Sequence, residues 1–457
     1  MESLAVRLSF LTYLRVKAIV LPSHLCREWG LKHKMIITIS HGQKNSRALV
    51  MEDTQIQSGR VVKLTSPLKK ALAIPYAGTI HIKNENGTLR IGPSIGIVTT
   101  GIKTDTQTLL GGRTRFFKKL LMAQKGKGVY YFLFSPDEVD WESNQVNGWF
   151  LLPNEQGEYS WRQCVTAMPD SLYDRIPSRA AEAKDDVQDF KIKLITETHV
   201  PIFNLGFFDK WGVHQRLSYM PEVTNYIPET HLAPTLDMLE SMLEKYPMLY
   251  LKPKNGSLGY GIVKVQRLSN GFRVSYRMGG SNFSKTFAKL ANLYRHIFRT
   301  RQVSNYLIQQ GIQLCTYKGR PFDFRVHLHK NLDNNWVVSC MAAKVAGVGS
   351  VTTHVRTGGF VIPGRELLET LFPDRFDELE EQIREASVRL AQSMELAYST
   401  HLGELGLDMA IDLNGDIWMF EANSKPGRSI FKHDRLKRAD ELSRSLLVDY
   451  SRYLANF

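Results

Sequence analysis

Residues 406–423 read GLDMAIDLNGDIWMFEAN, two alternating runs either side of Asn414-Gly415, and no other stretch constrains the chain as much. An Asn-Gly pair in such a setting predicts a two-residue type I′ hairpin, because both central positions need φ > 0. With Leu413 set opposite Asp416, counting back along both strands puts Asp408 opposite Glu421, their Cβ atoms about 5 Å apart. Asn423, two residues on, projects from the same side. The other face, Met409, Ile411, Leu413, Trp418 and Phe420, is expected to be core. Two carboxylates that close repel by roughly 3 kcal/mol at an effective dielectric near 20, so something must offset the cost. A hard divalent cation held by carboxylate and amide oxygens does so, which makes Asp408, Glu421 and Asn423 candidate Mg²⁺ ligands. The plainer alternative is a solvated hairpin face on which the pair is merely tolerated.

Residues 249–261 read LYLKPKNGSLGYG and lead into IVKVQRL, a strand, a Gly-rich loop and a second strand. Gly256, Gly259 and Gly261 let backbone N–H groups turn toward phosphate oxygens, and Lys252 adds positive charge from the strand end. The stretch is neither a Walker A motif nor a Rossmann fingerprint, and a flexible surface loop is the alternative reading. In PFDFR, Arg325 can clamp a phosphate or carboxylate through two parallel bonds, with Asp323 orienting it or forming an ordinary ion pair with it. His327 and His329 share a strand face, but the sequence places no third metal ligand near them. Gly92-Pro-Ser-Ile-Gly96 fits GxSxG; a nucleophile elbow must turn from strand into helix, whereas here another strand follows, so a hydrolase is not supported.

Length and composition bound the rest. At 457 residues, with 43% apolar and 23% charged, the chain is expected to fold into about three domains at ~150 residues each. We place a β-rich domain at 1–90, an α/β unit at 91–200 and a larger α+β domain at 201–457, with residues 170–179 leaving the second unit as loop. The net charge of +14 favours anionic partners without selecting one. Its basic residues, such as Lys118-Lys119 and Lys437-Arg438, are scattered and lack an aromatic RNA-binding motif or helix-turn-helix, which argues against nucleic acid. The four cysteines form no CxxC pair, and Arg7, Arg15 and Lys17 interrupt the apolar start, so the expectation is a cytoplasmic protein without a membrane span.

Taken in chain order, these pieces resemble the ATP-grasp superfamily, and within it the YheC/YheD-like family described as endospore coat-associated. The resemblance implies an ATP-grasp fold, two α+β subdomains holding ATP, preceded by a Rossmann-like α/β unit and a small N-terminal β-rich domain. It also implies a ligase that joins a carboxylate to an amine through an acyl-phosphate, using ATP and Mg²⁺. Asp209-Lys210 is similar to the Asp-Lys that begins the module, with Lys210 on the α-phosphate. Lys252 is similar to the second nucleotide lysine, and Asn255, Gly256, Ser257, Gly259 and Gly261 to the loop that closes over the β- and γ-phosphates. The stretch YLIQQGI resembles the adenine hinge, which makes Gln309, Gln310, Ile312 and Gln313 candidates. Asp323-Phe-Arg325 resembles the Asp-Ile-Arg of the RimK-like branch, with Arg325 on the transferred phosphoryl group. The segments MAAK, ending at Lys344, and HVRTGG, containing Arg356, are similar to those lining the acceptor side, with Lys344 and His354 in place of the usual Arg and Asn. Asn423-Ser-Lys-Pro-Gly427 matches the Asn-x-x-Pro-Gly ending, so that Asp408, Glu421 and Asn423 are the magnesium ligands by resemblance as well as by register. The acid and amine are unassigned, with peptides and cell-envelope precursors among the candidates, and spore association rests on the resemblance alone. A nucleotide-binding coat protein without turnover is the alternative from another class.

Overall fold

The computed structural model describes residues 3–55, 59–254, 260–278, 281–348 and 358–457. The chain forms two units. One comprises Met1–Gly206, Lys330–Asn335 and Arg444–Phe457, and the other Phe207–His329 and Trp336–Ser443. Most of the terminal helix Lys437–Leu454, which the sequence reading grouped with 201–457, is thus counted with the first unit. Among the described residues no helix is long and apolar enough to cross a membrane.

In the first unit, seven strands between Leu4 and Gly92 close into a barrel. Its interior is filled by alternating residues such as Ile37, Ile39, Val62, Leu64, Ile80 and Ile82. The hairpin from Gly78–Glu85 to Thr88–Gly92 turns on Asn86-Gly87, with φ of 51° and 82°, as a two-residue turn with both positions left-handed should. A second sheet follows, in which Tyr130–Phe134, Ser94–Val98, Ser171–Asp174 and Ile202–Phe203 run parallel. Ser94 opens a fully buried strand, not a strand-to-helix elbow. The polarity of residues 170–179 predicts a loop, yet Ser171–Asp174 is a buried strand beside Ser94–Val98. Polar residues survive there because each has a partner. Asp170 accepts a hydrogen bond from Ser94 N at 2.8 Å, and Asp174 pairs with Lys191 at 2.9 Å.

The second unit contains two sheets. One has the order Thr230–Leu232, Tyr306–Gln310, Met248–Pro253, Val263–Leu268, Gly271–Met278, Ser281–Phe287. The other runs Phe360–Pro363, Trp336–Val345, Arg320–Lys330, Glu404–Ile411, Ile417–Asn423. Strict alternation divides the second sheet. Phe322, Phe324, Val326, Leu405, Leu407, Met409, Ala343 and Val345 lie in one core cluster with residues of the helices Gly364–Leu371 and Phe376–Tyr398. Asp323, Arg325, Asp408 and Lys344 occupy the intervening positions and so point to the opposite face.

The hairpin that ends this sheet departs from its predicted turn. Gly415 has φ of 91° but Asn414 is not left-handed. Gly415 N donates to Asp412 O at 3.1 Å and Asp412 N to Asp416 O at 3.0 Å, which makes a three-residue loop. The Asp412 side chain decides this: its Oδ1 accepts from the N–H groups of Asn414 and Asp416, and its Oδ2 from Trp418 Nε1 at 3.0 Å. The longer loop shifts the near half of the ladder by one residue, and a bulge between Asp408 and Met409 restores the register, so that Asp408 still faces Glu421 and Gly406 faces Asn423. The core face is therefore corrected to Met409 and Ile411 with Ile417 and Met419. Leu413 is 66% exposed, and Trp418 and Phe420 are only half-buried. Asp412→Ala should leave three buried or half-buried donors without their acceptor and lower stability by about 2–3 kcal/mol, read as a lower urea midpoint at unchanged slope.

Candidate functional site

Four neighbouring strands of one sheet and a helix start build the site within the second unit. Arg325 lies in register with Asp408 across the ladder, and the pair is bidentate, with Nε to Oδ1 at 2.8 Å and Nη2 to Oδ2 at 3.2 Å. Lys344, on the next strand, reaches Asp323 at 2.9 Å and Asp408 at 3.0 Å. Burial works against its charge, but Asp323 and Asp408 outweigh that and hold its pKa above the usual lysine value. Of the two readings offered for Asp323 and Arg325, neither describes the contacts fully, since Asp323 pairs with Lys344 and Arg325 with Asp408.

Lys210 opens the helix Lys210–Leu217, which Asp209 caps through the N–H groups of Trp211 and Gly212 at 3.0 Å each. The cap fixes where the first turn starts, and Lys210 Nζ pairs with Glu421 at 2.5 Å. The carboxylates that face each other are therefore held by three cations of the chain itself. Lys252 comes from the other sheet: its ammonium contacts Gln309 Oε1 and lies 5.4 Å from the centre of the Phe420 ring. Burial first, then Lys210, push its pKa down to about 8 against the pull of Glu421, Asp408 and Asp323. Gln309 is fixed by Thr230 Oγ1 at 2.9 Å and by His214 Nε2 at 3.1 Å. Burial, with the Lys252 ammonium beside it, lowers the His214 pKa to about 3 and keeps that imidazole neutral.

The remaining sequence candidates divide. Gly261 has φ of 76°, and a Cβ there would meet Pro253 Cγ at 2.8 Å, so glycine is required. Asn255, Gly256, Ser257, Gly259, His354 and Arg356 lie outside the described residues. Of the hinge candidates, Gln309 joins the cluster. Gln310 exchanges bonds with the Glu229 backbone, Gln313 O accepts from Leu413 N, and Ile312 is buried. Asn423 sits beside Glu421 at the strand end, opposite Gly406. His327 and His329 are stacked 6.3 Å apart at 12° in the interior, where His329 Nδ1 meets Ser339 Oγ at 2.8 Å. Among the described residues no group of three His, Cys, Asp or Glu side chains is arranged to hold a metal. Sequence reasoning missed His214 and Phe420. The first was available as the residue four after Lys210 on one helix face, and the second was hidden by the bulge.

Beyond the geometry, residues 199–454 match the family model described as YheC/D like ATP-grasp, more than half of the chain. The chain belongs to the YheC/D-like ATP-grasp family. It is 33% identical over 433 residues to the endospore coat-associated protein YheD of Bacillus subtilis (strain 168), covering 93% of this chain and 92% of that protein. It is 24% identical over 308 residues to the endospore coat-associated protein YheC of the same organism, covering 66% and 82%. Among solved structures, the VanG D-Ala:D-Ser ligase of Enterococcus faecalis is similar at a TM-score of 0.44 and 13% identity, covering 80% of this chain and 99% of that one. Family membership makes the ATP-grasp fold, with its mixed helix and strand content, the fold of this chain.

For this member of the family the depressed lysine has a consequence for stability. An unfolded lysine titrates near 10.4, so between that pH and about 8 the unfolded chain holds a proton the folded chain has released. Stability attributable to Lys252 is therefore lost as pH falls through this window, and the full penalty is present at neutrality. Lys252→Met should stabilise the free protein at pH 7 by roughly 1–2 kcal/mol and flatten the stability profile between pH 8 and 10, measured by urea unfolding.

Proposed function

We propose that this chain is an ATP- and Mg²⁺-dependent carboxylate–amine ligase. One observation carries the reading: Lys210, Lys252, Arg325 and Lys344 converge around Asp323, Asp408 and Glu421, so that four cations face three carboxylates. Lys252 is where the balance fails: burial first, and Lys210 second, loosen its proton against the pull of the three carboxylates. An anion placed there adds its attraction to that of the carboxylates and offsets the cost of burying the ammonium, which is what a nucleotide phosphate would supply.

The donor set suits magnesium. Asp408 and Glu421 are paired in register, Asn423 adjoins them, and all three offer the oxygen donors that a small hard cation takes. When bound, Mg²⁺ supplies charge neutralisation on the phosphate oxygens. The chain's own residues do the rest. Lys252 and Lys210 bind and orient the triphosphate, Phe420 and Gln309 border the space beside Lys252, and Arg325 and Lys344 neutralise charge on the phosphoryl group in flight. In the reaction, a substrate carboxylate oxygen attacks the γ-phosphorus and ADP leaves. The amine nitrogen then attacks the acyl carbon, the C–O bond to phosphate breaks, and the nitrogen releases a proton. No covalent protein nucleophile is needed.

The names of the relatives support a second reading, a nucleotide-binding protein that associates with the endospore coat and does not turn over. Purified protein incubated with ATP, Mg²⁺ and panels of acids and amines separates the two. ADP released only with a particular pair supports the ligase, and nucleotide binding without release under any pair supports the coat protein. Glu421→Gln should lower Mg²⁺-dependent ADP release at least ~100-fold while leaving the melting temperature within a few degrees; full activity in that variant overturns the site. Because bound phosphate raises the Lys252 pKa again, nucleotide affinity should be highest below pH 8 and fall about tenfold per unit above it, a slope absent in Lys252→Met.

A further inference from the structure

The barrel of the first unit carries a patch that the ligase reading does not use. Between residues 10 and 50 the chain has seven basic side chains and one acidic, Glu28. Six of the basic ones are exposed, among them Arg15, Lys17, Lys32 and Lys34, and none of these four forms an ion pair among the described residues. They come together on one barrel rim. Lys17 O accepts from Leu49 N at 2.9 Å on one side of the strand Lys44–Asp53, while Lys34 N donates to Val50 O and Met35 O accepts from Val50 N, each at 2.8 Å, on the other. The two basic segments are thus two strand spacings apart, about 10 Å.

Aliphatic tips stand between the charges. Val16 is 54% exposed, Met35 44% and Ile36 53%. Ile36 breaks the pattern of its own strand, where the outward positions that follow are Thr38 and Ser40 and the inward ones are Ile37 and Ile39. Lys34 is held at φ of 65°, a conformation that costs a non-glycine residue about 1–2 kcal/mol. Glycine would fit there better as structure alone. The nearby Glu52 lies at the edge of the patch, its N–H donating to His33 Nδ1 at 3.2 Å.

We propose that this rim docks on an anionic lipid surface, with Arg15, Lys17, Lys32 and Lys34 at the headgroup phosphates and Val16, Met35 and Ile36 at the boundary with the acyl chains. Charge complementarity selects an anion, and the aliphatic tips select a bilayer over a soluble polyanion, which gains nothing from them. A single-stranded nucleic acid would call for a row of stacking aromatics, whereas beside Arg15 the segment offers the single exposed ring of Tyr13 next to three exposed aliphatic side chains.

Co-sedimentation of the full chain with phosphatidylcholine vesicles, with and without about one-third phosphatidylglycerol, tests this. Retention is expected on the anionic vesicles only and should fall with added salt. Replacing Lys17, Lys32 or Lys34 by Glu should weaken it by at least about fivefold each, and Val16→Ser/Met35→Ser/Ile36→Ser by about tenfold or more. Lys34→Gly keeps or raises the melting temperature, so its loss of retention cannot come from misfolding. Equal retention on neutral vesicles, or retention untouched by the three charge reversals, overturns the proposal. So does an apolar triple variant that binds like the parent while soluble polyphosphate competes, because the ligand is then a polyanion.

Discussion

The second unit is organised by an electrostatic problem: Asp408 and Glu421 face each other across a hairpin. The free chain answers it with cations drawn from three other places, Arg325 and Lys344 on the neighbouring strands and Lys210 at a helix start. Each of these charges is poorly placed without its partner. Arg325 and Lys344 are largely shielded from solvent, and breaking one member of such a set leaves an uncompensated charge costing several kcal/mol. The arrangement also determines what the site admits. With Asp323 counted, four cations stand against three carboxylates, and Lys252, lowered first by burial and then by Lys210, is the one of the four for which the carboxylates do not offset the cost of losing water.

Register is what makes this geometry available. A slip of one residue would turn Glu421 into the core and Met419 out of it. The hairpin begins with such a slip, because its loop has three residues, and corrects it with one extra residue in the strand Ile417–Asn423 before the acidic pair is reached. The correction adds something: the bulge leaves Phe420 half-buried, facing the ammonium of Lys252. Bulges beside functional sites commonly re-aim a side chain in this way.

Two of the Asn-Gly pairs, at 86–87 and 414–415, show how far local sequence carries. At Asn86-Gly87 the dipeptide forms the two-residue turn its left-handed preference favours, and at Asn414-Gly415 it does not. The difference lies in Asp412, a short side chain that accepts two backbone hydrogen bonds across the second loop and fixes a different closure. Alternation of apolar residues was legible, and so was the opposition of Asp408 and Glu421, since the two deviations cancel. What was not legible depends on partners distant in the chain. The strand Ser171–Asp174 looks like loop because its stabilising contacts, to Ser94–Val98 and Lys191, come from other segments. His214 looks unremarkable until Gln309, 95 residues away, is placed against it.

Gly406 shows the same dependence on a far partner from the other direction, through a side chain it lacks. It pairs with His327 on one side and Asn423 on the other, two residues from the Arg325–Asp408 pair. A Cβ at this position would stand 3.0 Å from Arg325 Nη1 and 2.5 Å from Pro426 Cβ. The guanidinium lies over the bare backbone of the neighbouring strand, and Pro426 of the Asn-Ser-Lys-Pro-Gly turn closes the same space. Any larger residue would have to displace the arginine from its carboxylate or the turn from the strand end that presents Asn423. Both candidate anchoring points, for the phosphoryl group and for the metal, therefore rest on one position where the absence of a side chain is the structural requirement.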